Sequence, residues 1–236
     1  MNISLIGYGK MGKTIEKIAR EKGHNISIVV KSSEDLTEMT SSNTDVAIEF
    51  TQPESAFDNL SYCLDHNIPV ISGTTGWTEK LSDIKQLCQE KDGTFLYASN
   101  FSIGVNLFFE LNKWLADKMA HLNFKPSLKE VHHTEKKDSP SGTAITLAEG
   151  IISSQPSFVG WINVESADHK KLGIVSERIP NVPGTHTVSY SSPLESIEIT
   201  HTAHDRSVFA EGVVKVGEWI HKKKGVFTMS DFINDN

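Results

Sequence analysis

The densest chemistry in this chain lies in one stretch, Glu130-Val131-His132-His133-Thr134-Glu135-Lys136-Lys137-Asp138-Ser139-Pro140-Ser141-Gly142-Thr143-Ala144. Two adjacent imidazoles precede two ammonium groups, and a Ser-Gly-Thr step then opens an apolar helical pattern. Amides at a helix start lack intrahelical partners and carry the positive end of the helix dipole, so Ser141, Gly142 and Thr143 offer a carboxylate site. Lys136 adds a charge-assisted contact or donates a proton. The same residues also fit a solvated charged loop in which one histidine packs inside and Ser-Gly-Thr only caps a helix. The segment alone leaves both readings open.

A second constellation opens the chain. Gly7-Tyr8-Gly9-Lys10-Met11-Gly12 follows a short apolar run and leads into a helical one, the context that a dinucleotide-binding Gly-x-Gly-x-x-Gly turn requires. Its glycines allow a tight turn, close approach to a pyrophosphate and close helix-strand packing; the other reading is an ordinary Gly-rich turn. Ser72-Gly73-Thr74-Thr75-Gly76 and Ser99-Asn100-Phe101-Ser102 also follow apolar runs, at the sheet edge where an open α/β fold gathers its ligand. Where that fingerprint carries an Asp or Glu against the ribose, this chain has Val29-Val30-Lys31-Ser32-Ser33. A cation and two hydroxyls there suit a 2′-phosphate, predicting NADPH over NADH, unless Glu34 or Asp35 folds back to the ribose.

Regular elements must hold these residues. Apolar runs at Ile3–Ile6, Ile26–Val30, Val46–Phe50, Val70–Ser72 and Phe95–Ala98 alternate with helical spacing at Ile15, Ile18 and Ala19 and at Ile84, Leu87 and Cys88, the rhythm of β-α-β units with a parallel sheet. Residues 31–44 are polar and too short for a long crossover helix. After Asn100 a long apolar helix runs from Val105 to Met119. Strand-like stretches follow at Ser127–His132, Trp161–Val164, Leu172–Ile179, His186–Ser191 and Ser196–Thr202, interrupted by a helix over Ala144–Ile152. A last helix over about Arg206–His221 packs back on the first domain. The expected fold class is α/β: an N-terminal Rossmann-like parallel-sheet domain, residues 1–101 and 206–236, plus a smaller α+β domain, 102–205.

Composition narrows the function. A net charge of −7 opposes non-specific nucleic-acid binding, and no apolar run is long enough to span a bilayer. The first residues read as a buried strand rather than a signal peptide, so a cytoplasmic protein is expected. Only Cys63 and Cys88 are present, both in helical stretches of the first domain. They allow neither a disulfide framework nor a four-ligand zinc site, no metal is expected, and they are read as packing residues. Aldehyde oxidation through an activated cysteine, which needs a thiol beyond the cofactor domain, is disfavoured on the same ground.

Several motifs in order carry a resemblance. His132-His133, Lys136 and Asp138-Ser139-Pro140-Ser141-Gly142-Thr143-Ala144 resemble the signature of the dihydrodipicolinate (4-hydroxy-tetrahydrodipicolinate) reductases of bacterial lysine and diaminopimelate biosynthesis. The Gly-rich opening, Glu49-Phe50-Thr51-Gln52-Pro53-Glu54, Gly73-Thr74-Thr75-Gly76, Ala98 to Asn106 and Glu198-Ile199-Thr200-His201 agree with it. Departures are the short segment after the second strand, Glu49 where Asp is commoner, and Arg178-Ile179-Pro180 in place of Arg-x-Gly. The resemblance implies reduction of 4-hydroxy-tetrahydrodipicolinate to tetrahydrodipicolinate by NADPH or NADH in a homotetramer built through sheet contacts. It implies His132 and Lys136 as acid/base and proton donor, with His133, Lys136, Ser141, Gly142 and Thr143 on the substrate carboxylates. The cofactor would meet Gly7, Tyr8, Gly9, Lys10, Met11, Gly12, Lys31, Gly73, Thr74, Thr75, Ser99, Asn100 and Phe101. Other small carboxylated imines, or a non-catalytic NAD(P)-binding sensor, remain alternatives.

Overall fold

The computed structural model describes residues 1–235 and divides into two compact units, Met1–Ile103 with Ser207–Asn236, and Gly104–Arg206. The first begins β1 (Asn2–Ile6), α1 (Lys10–Glu21), β2 (Asn25–Val30), α2 (Ser33–Thr37), β3 (Val46–Glu49), α3 (Pro53–Asp65), β4 (Val70–Ser72), α4 (Leu81–Glu90) and β5 (Thr94–Tyr97). Every residue of β3 and β4 is buried, as expected of parallel strands covered on both faces. The connection over 31–44 holds only the five-residue α2, closed by a capping box in which Ser32 accepts from the Asp35 amide and Asp35 accepts from that of Ser32.

The second unit contains most of α5 (Ile103–Met119), then β6 (Lys125–His132), α6 (Gly142–Ser154), β7 (Gly160–Ile162), β8 (Lys171–Arg178), β9 (Gly184–Ser191) and β10 (Ser196–Ala203). Its sheet runs β10-β9-β6-β8-β7, with β9 antiparallel to β6 and β10 and parallel pairing of β6 with β8 and of β8 with β7. Period-two burial along β9 turns His186, Val188 and Tyr190 toward α5 and α6. The opposite face is polar: Thr187 bonds Thr200 at 3.0 Å and Ser189 bonds Glu198 at 2.9 Å.

The chain then returns to the first unit through α7 (Ser207–Ile220), β11 (Gly225–Phe227) and α8 (Met229–Asn234). The completed sheet is parallel and six-stranded, ordered β11-β5-β4-β3-β1-β2. Helices α1 and α7 pack on one face with Ile3 and Leu5, while α3 and α4 pack on the other with Ile6 and Val70. Beyond the last long helix the structure adds β11 and α8, which the sequence pattern does not predict. Gly225-Val226-Phe227 is too short to show a strand period, and its edge position comes from pairing with β5.

Candidate functional site

In the first unit the Gly-rich turn joins β1 to α1, and each glycine meets a different constraint. Gly7 has φ +95°, and a methyl there would lie 2.1 Å from the Phe50 carbonyl oxygen. A methyl at Gly12 would come 2.4 Å from the Gly7 carbonyl oxygen, whereas one at Gly9 meets nothing within 4 Å. The turn is therefore closed toward the sheet and open at Gly9, where the unpaired amides at the start of α1 could hold an anionic group. Beside it lies a cavity of about 800 Å³ lined by Gly7, Tyr8, Lys13, Val30, Lys31, Ser32 and Ser33 among others. The Tyr8 hydroxyl donates to Glu16, and the ammonium groups of Lys31 and Lys13 stand 5.2 and 5.7 Å from the Tyr8 ring centre.

The Asp35 carboxylate accepts the amides of Lys31 at 2.8 Å and Ser32 at 2.9 Å. These bonds hold its pKa below the ordinary value, and neither Asp35 nor Glu34 lines the cavity. Lys10 is exposed at the start of α1, while the Met11 side chain packs against the core.

A second rim is tied together by Glu49, which is completely buried at the end of β3. Its carboxylate accepts from the Thr51 amide at 3.0 Å, Ser72 Oγ at 2.6 Å, Thr74 Oγ1 at 2.7 Å and the Thr51 hydroxyl. Thr74, expected at the cofactor, thus commits its hydroxyl to the protein. Thr75 and Ser99 are exposed, Gly73 and Asn100 are half-buried, and Asn100 Oδ1 accepts the Ser102 amide. Phe101 is buried, its ring 5.9 Å from that of Phe50. Sequence reasoning missed Glu49 as an organiser, although a carboxylate ending an apolar strand signals buried donors nearby.

In the second unit β6 delivers Glu130 and His132 to one face, and β9 delivers His186 beside them. Glu130 is fully buried, with Oε2 3.2 Å from His132 Nδ1 and 3.7 Å from His186 Nε2. Its Oε1 accepts the Ser141 amide at 3.1 Å and faces Arg178 Nη2 at 3.3 Å. Burial pushes this carboxyl upward, but contacts from His132, Ser141 and Ser176 override it and hold the group ionised well below the usual carboxylate range. Burial, reinforced by His132, pulls His186 down to about 3.

Ser141 is the N-cap of α6 and faces inward: its Oγ accepts the Ala144 amide at 3.2 Å and pairs with His186 Nε2 at 3.0 Å. Gly142 is exposed and Thr143 half-buried at the helix start. Lys136 Nζ lies 2.8 Å from both carboxylate oxygens of Asp138. His133 Nδ1 lies 2.8 Å from Glu135 Oε2, while its Nε2 meets the Arg206 guanidinium. Arg206 has no acceptor lone pair, so His133 accepts at Nε2 and donates from Nδ1. Arg206, Arg178 and Glu130 carry no sequence signal that predicts a role at this site.

Glu130, His132 and His186 bring ligand-type atoms within 4.8 Å of one another. The Arg178 cation on the same carboxylate opposes a divalent ion, so a shared proton suits the cluster better. Cys63 is buried with its thiol pushed far up by burial, and burial raises Cys88 to about 11, so neither offers an activated thiolate. No helix among the described residues is long and apolar enough to cross a membrane.

Comparison with known proteins gives one family over both units. The model described as dihydrodipicolinate reductase, N-terminus matches residues 1–101, and that described as dihydrodipicolinate reductase, C-terminus matches 104–233. The 4-hydroxy-tetrahydrodipicolinate reductase of Christiangramia forsetii is 46% identical over 236 residues, spanning 100% of this chain and 98% of its own. That of Lawsonia intracellularis is 34% identical and covers 99% of each chain. Among solved structures, dipicolinate-bound dihydrodipicolinate reductase from Paenisporosarcina sp. TG-14 shares the fold, with a TM-score of 0.80, 22% identity and 97% of each chain covered.

Proposed function

The chain belongs to the dihydrodipicolinate reductase family, and from that premise we propose how its residues divide the work. It is an NAD(P)H-dependent oxidoreductase of lysine and diaminopimelate biosynthesis that reduces 4-hydroxy-tetrahydrodipicolinate, a small cyclic dicarboxylate, to tetrahydrodipicolinate. In this reading residues 1–101 and 206–236 form the dinucleotide-binding domain. Gly7 to Gly12 hold the pyrophosphate at the start of α1, and the rim at Gly73, Thr75, Ser99 and Asn100, with the backbone of Thr74 and Phe101, holds the nicotinamide end. Lys31 with Ser32 and Ser33 receives a 2′-phosphate, making NADPH the preferred cofactor. The observation favouring that preference is Asp35, whose carboxylate is turned onto backbone amides instead of toward a ribose.

Residues 102–205 bind the substrate and, through the polar outer sheet face, assemble a cytoplasmic homotetramer. The nicotinamide supplies the hydride. Lys136 and the start of α6, at exposed Gly142 and half-buried Thr143, hold one carboxylate, with the Ser141 amide retained by Glu130. His133 and Arg206 stand ready for the other. Loss of the 4-hydroxyl as water leaves a conjugated unsaturated ring, and hydride addition to that ring gives an enamine-like carbon that needs a proton, which Lys136 donates while His132 serves as acid/base.

The observation that carries this reading is the clustering of His132, His133, Lys136, Asp138 and the α6 start on one strand, loop and helix junction. The test couples the purified protein to the enzymatic condensation of pyruvate with aspartate semialdehyde and follows NAD(P)H absorbance. Oxidation above the blank is expected, and its absence with both cofactors overturns the reading.

A further inference from the structure

A carboxylate buried among histidines needs a reason to stay charged. Glu130 is 0% exposed, and its two oxygens face different groups. Oε1 is occupied by the Ser141 amide and Arg178. Oε2 and His132 Nδ1 lie 3.2 Å apart, and neither makes a hydrogen bond to any group among the described residues, each other included; His186 Nε2 stands 3.7 Å from the same oxygen. Buried polar atoms are rarely left unpaired, so the simplest occupant of that gap is a proton on Nδ1 shared with the carboxylate. The opposite ring atom, Nε2, lies against β9, where a methyl on Gly184 would come within 3.0 Å of it.

We propose that Glu130 is a positioning residue for the reduction: it fixes His132 as the Nδ1–H tautomer and leaves Nε2 as the atom that exchanges a proton with the reacting molecule. The proposal rests on the acid/base role assigned to His132. A carboxylate on one imidazole nitrogen orients the ring and raises the basicity of the other, as in other carboxylate-histidine pairs. The remaining charged and titratable groups around the pair do not duplicate this. His186, 4% exposed, is kept neutral by burial and shares its Nε2 with Ser141 Oγ. Arg178 also donates to the Asp138 carbonyl at 2.7 Å, and Lys136 is held by Asp138. Glu130 is thus the one anion on His132 within this cluster. It also ties the imidazole to the N-cap of α6, so one side chain sets the acid and the carboxylate cradle together.

Glu130→Gln separates these functions, because its amide oxygen can keep the Ser141 and Arg178 contacts while the charge facing His132 is lost. We expect kcat to fall about ten- to a hundredfold, with KM for NADPH within about twofold of the unmodified protein. ¹⁵N imidazole shifts should place the His132 proton on Nδ1 in the unmodified protein and on Nε2 in Glu130→Gln, whose amide can present a donor to Nδ1. Glu130→Asp should recover part of kcat and return the proton to Nδ1. An unmoved proton in Glu130→Gln, or a loss confined to thermal stability, overturns the proposal. If Glu130→Gln does not fold, ¹⁵N imidazole shifts of the unmodified protein decide: a neutral His132 with its proton on Nδ1 supports the proposal, and one with it on Nε2 overturns it. That measurement does not depend on turnover, so it separates failure of this inference from failure of the assigned reaction.

Discussion

Both carboxylate oxygens of Asp138 lie 2.8 Å from Lys136 Nζ, so the ammonium assigned to substrate and proton donation is already paired within its own loop. Lys136 is half-buried and Asp138 exposed. The contact can therefore be exchanged for a substrate carboxylate without stranding either charge in a dry interior.

Removing each partner should have opposite consequences. Lys136→Ala is expected to lower kcat about 10²- to 10⁴-fold while leaving NADPH affinity nearly unchanged, as for a lost general acid. Asp138→Asn frees the ammonium and should lower substrate KM by roughly two- to fivefold, the scale of an exposed ion pair. Steady-state kinetics on both variants checks the pair. Retention of more than about half the original kcat/KM in Lys136→Ala would end the assigned role.

The second carboxylate should depend on Arg206, whose guanidinium meets His133 Nε2. Pyridine-2,6-dicarboxylate is expected to inhibit competitively with substrate and more tightly than pyridine-2-carboxylate. Arg206→Ala should erase roughly tenfold of that difference, about what a partly exposed charge-assisted contact contributes. Equal inhibition by both acids in the unmodified protein would show that only one carboxylate is read.

Cofactor choice follows from Lys31 and the occupied Asp35. After discounting for screening and side-chain entropy, the cation contributes ~1–2 kcal/mol, or roughly ten- to thirtyfold in favour of NADPH. The advantage should shrink with salt and reverse in Lys31→Glu. Measuring kcat/KM for both cofactors at low and high ionic strength decides it, with an NADH preference in the unmodified protein as the contrary result.

Acid should destabilise the second unit through two buried groups acting in the same direction. His186 has a folded pKa lowered to about 3, below its unfolded value, so its unfolded form binds more protons below neutrality. Glu130 is also depressed, and its contribution is lost as pH falls through its folded value. Stability should thus be full above about pH 6.5 and fall on acidification, His186 contributing at most ~1.4 kcal/mol per pH unit. Urea unfolding between pH 4 and 7 measures the slope, which His186→Gln should reduce. A slope unchanged by that substitution would contradict the assignment.

What could be read from the sequence was what local pattern determines. Strands β1 to β5 and helices α5, α6 and α7 were legible because their apolar residues repeat at the period of their own element. The turn at Gly7 and the cap at Ser141 were legible from residue type. Glu49 and Glu130 were not, because each draws its meaning from donors far along the chain, Ser72 and Thr74 for one and Ser141 and Arg178 for the other. Met11 and Phe101 lay in the right segments, but their side chains serve the core.

The return of α7 and β11 to the first unit bears on the order in which the chain can fold as it is made. The β11 edge pairs with β5, strands joined only after everything between them has been synthesised. At about 5–20 residues per second, the ribosome delivers all of Gly104–Arg206 seconds before β11 emerges. The later-numbered unit can therefore condense while the earlier one still exposes the β5 edge and the apolar sheet face awaiting Val213, Val216 and Ile220. An unfinished nascent chain is most vulnerable to edge-to-edge aggregation during this interval, and chaperone engagement should peak there.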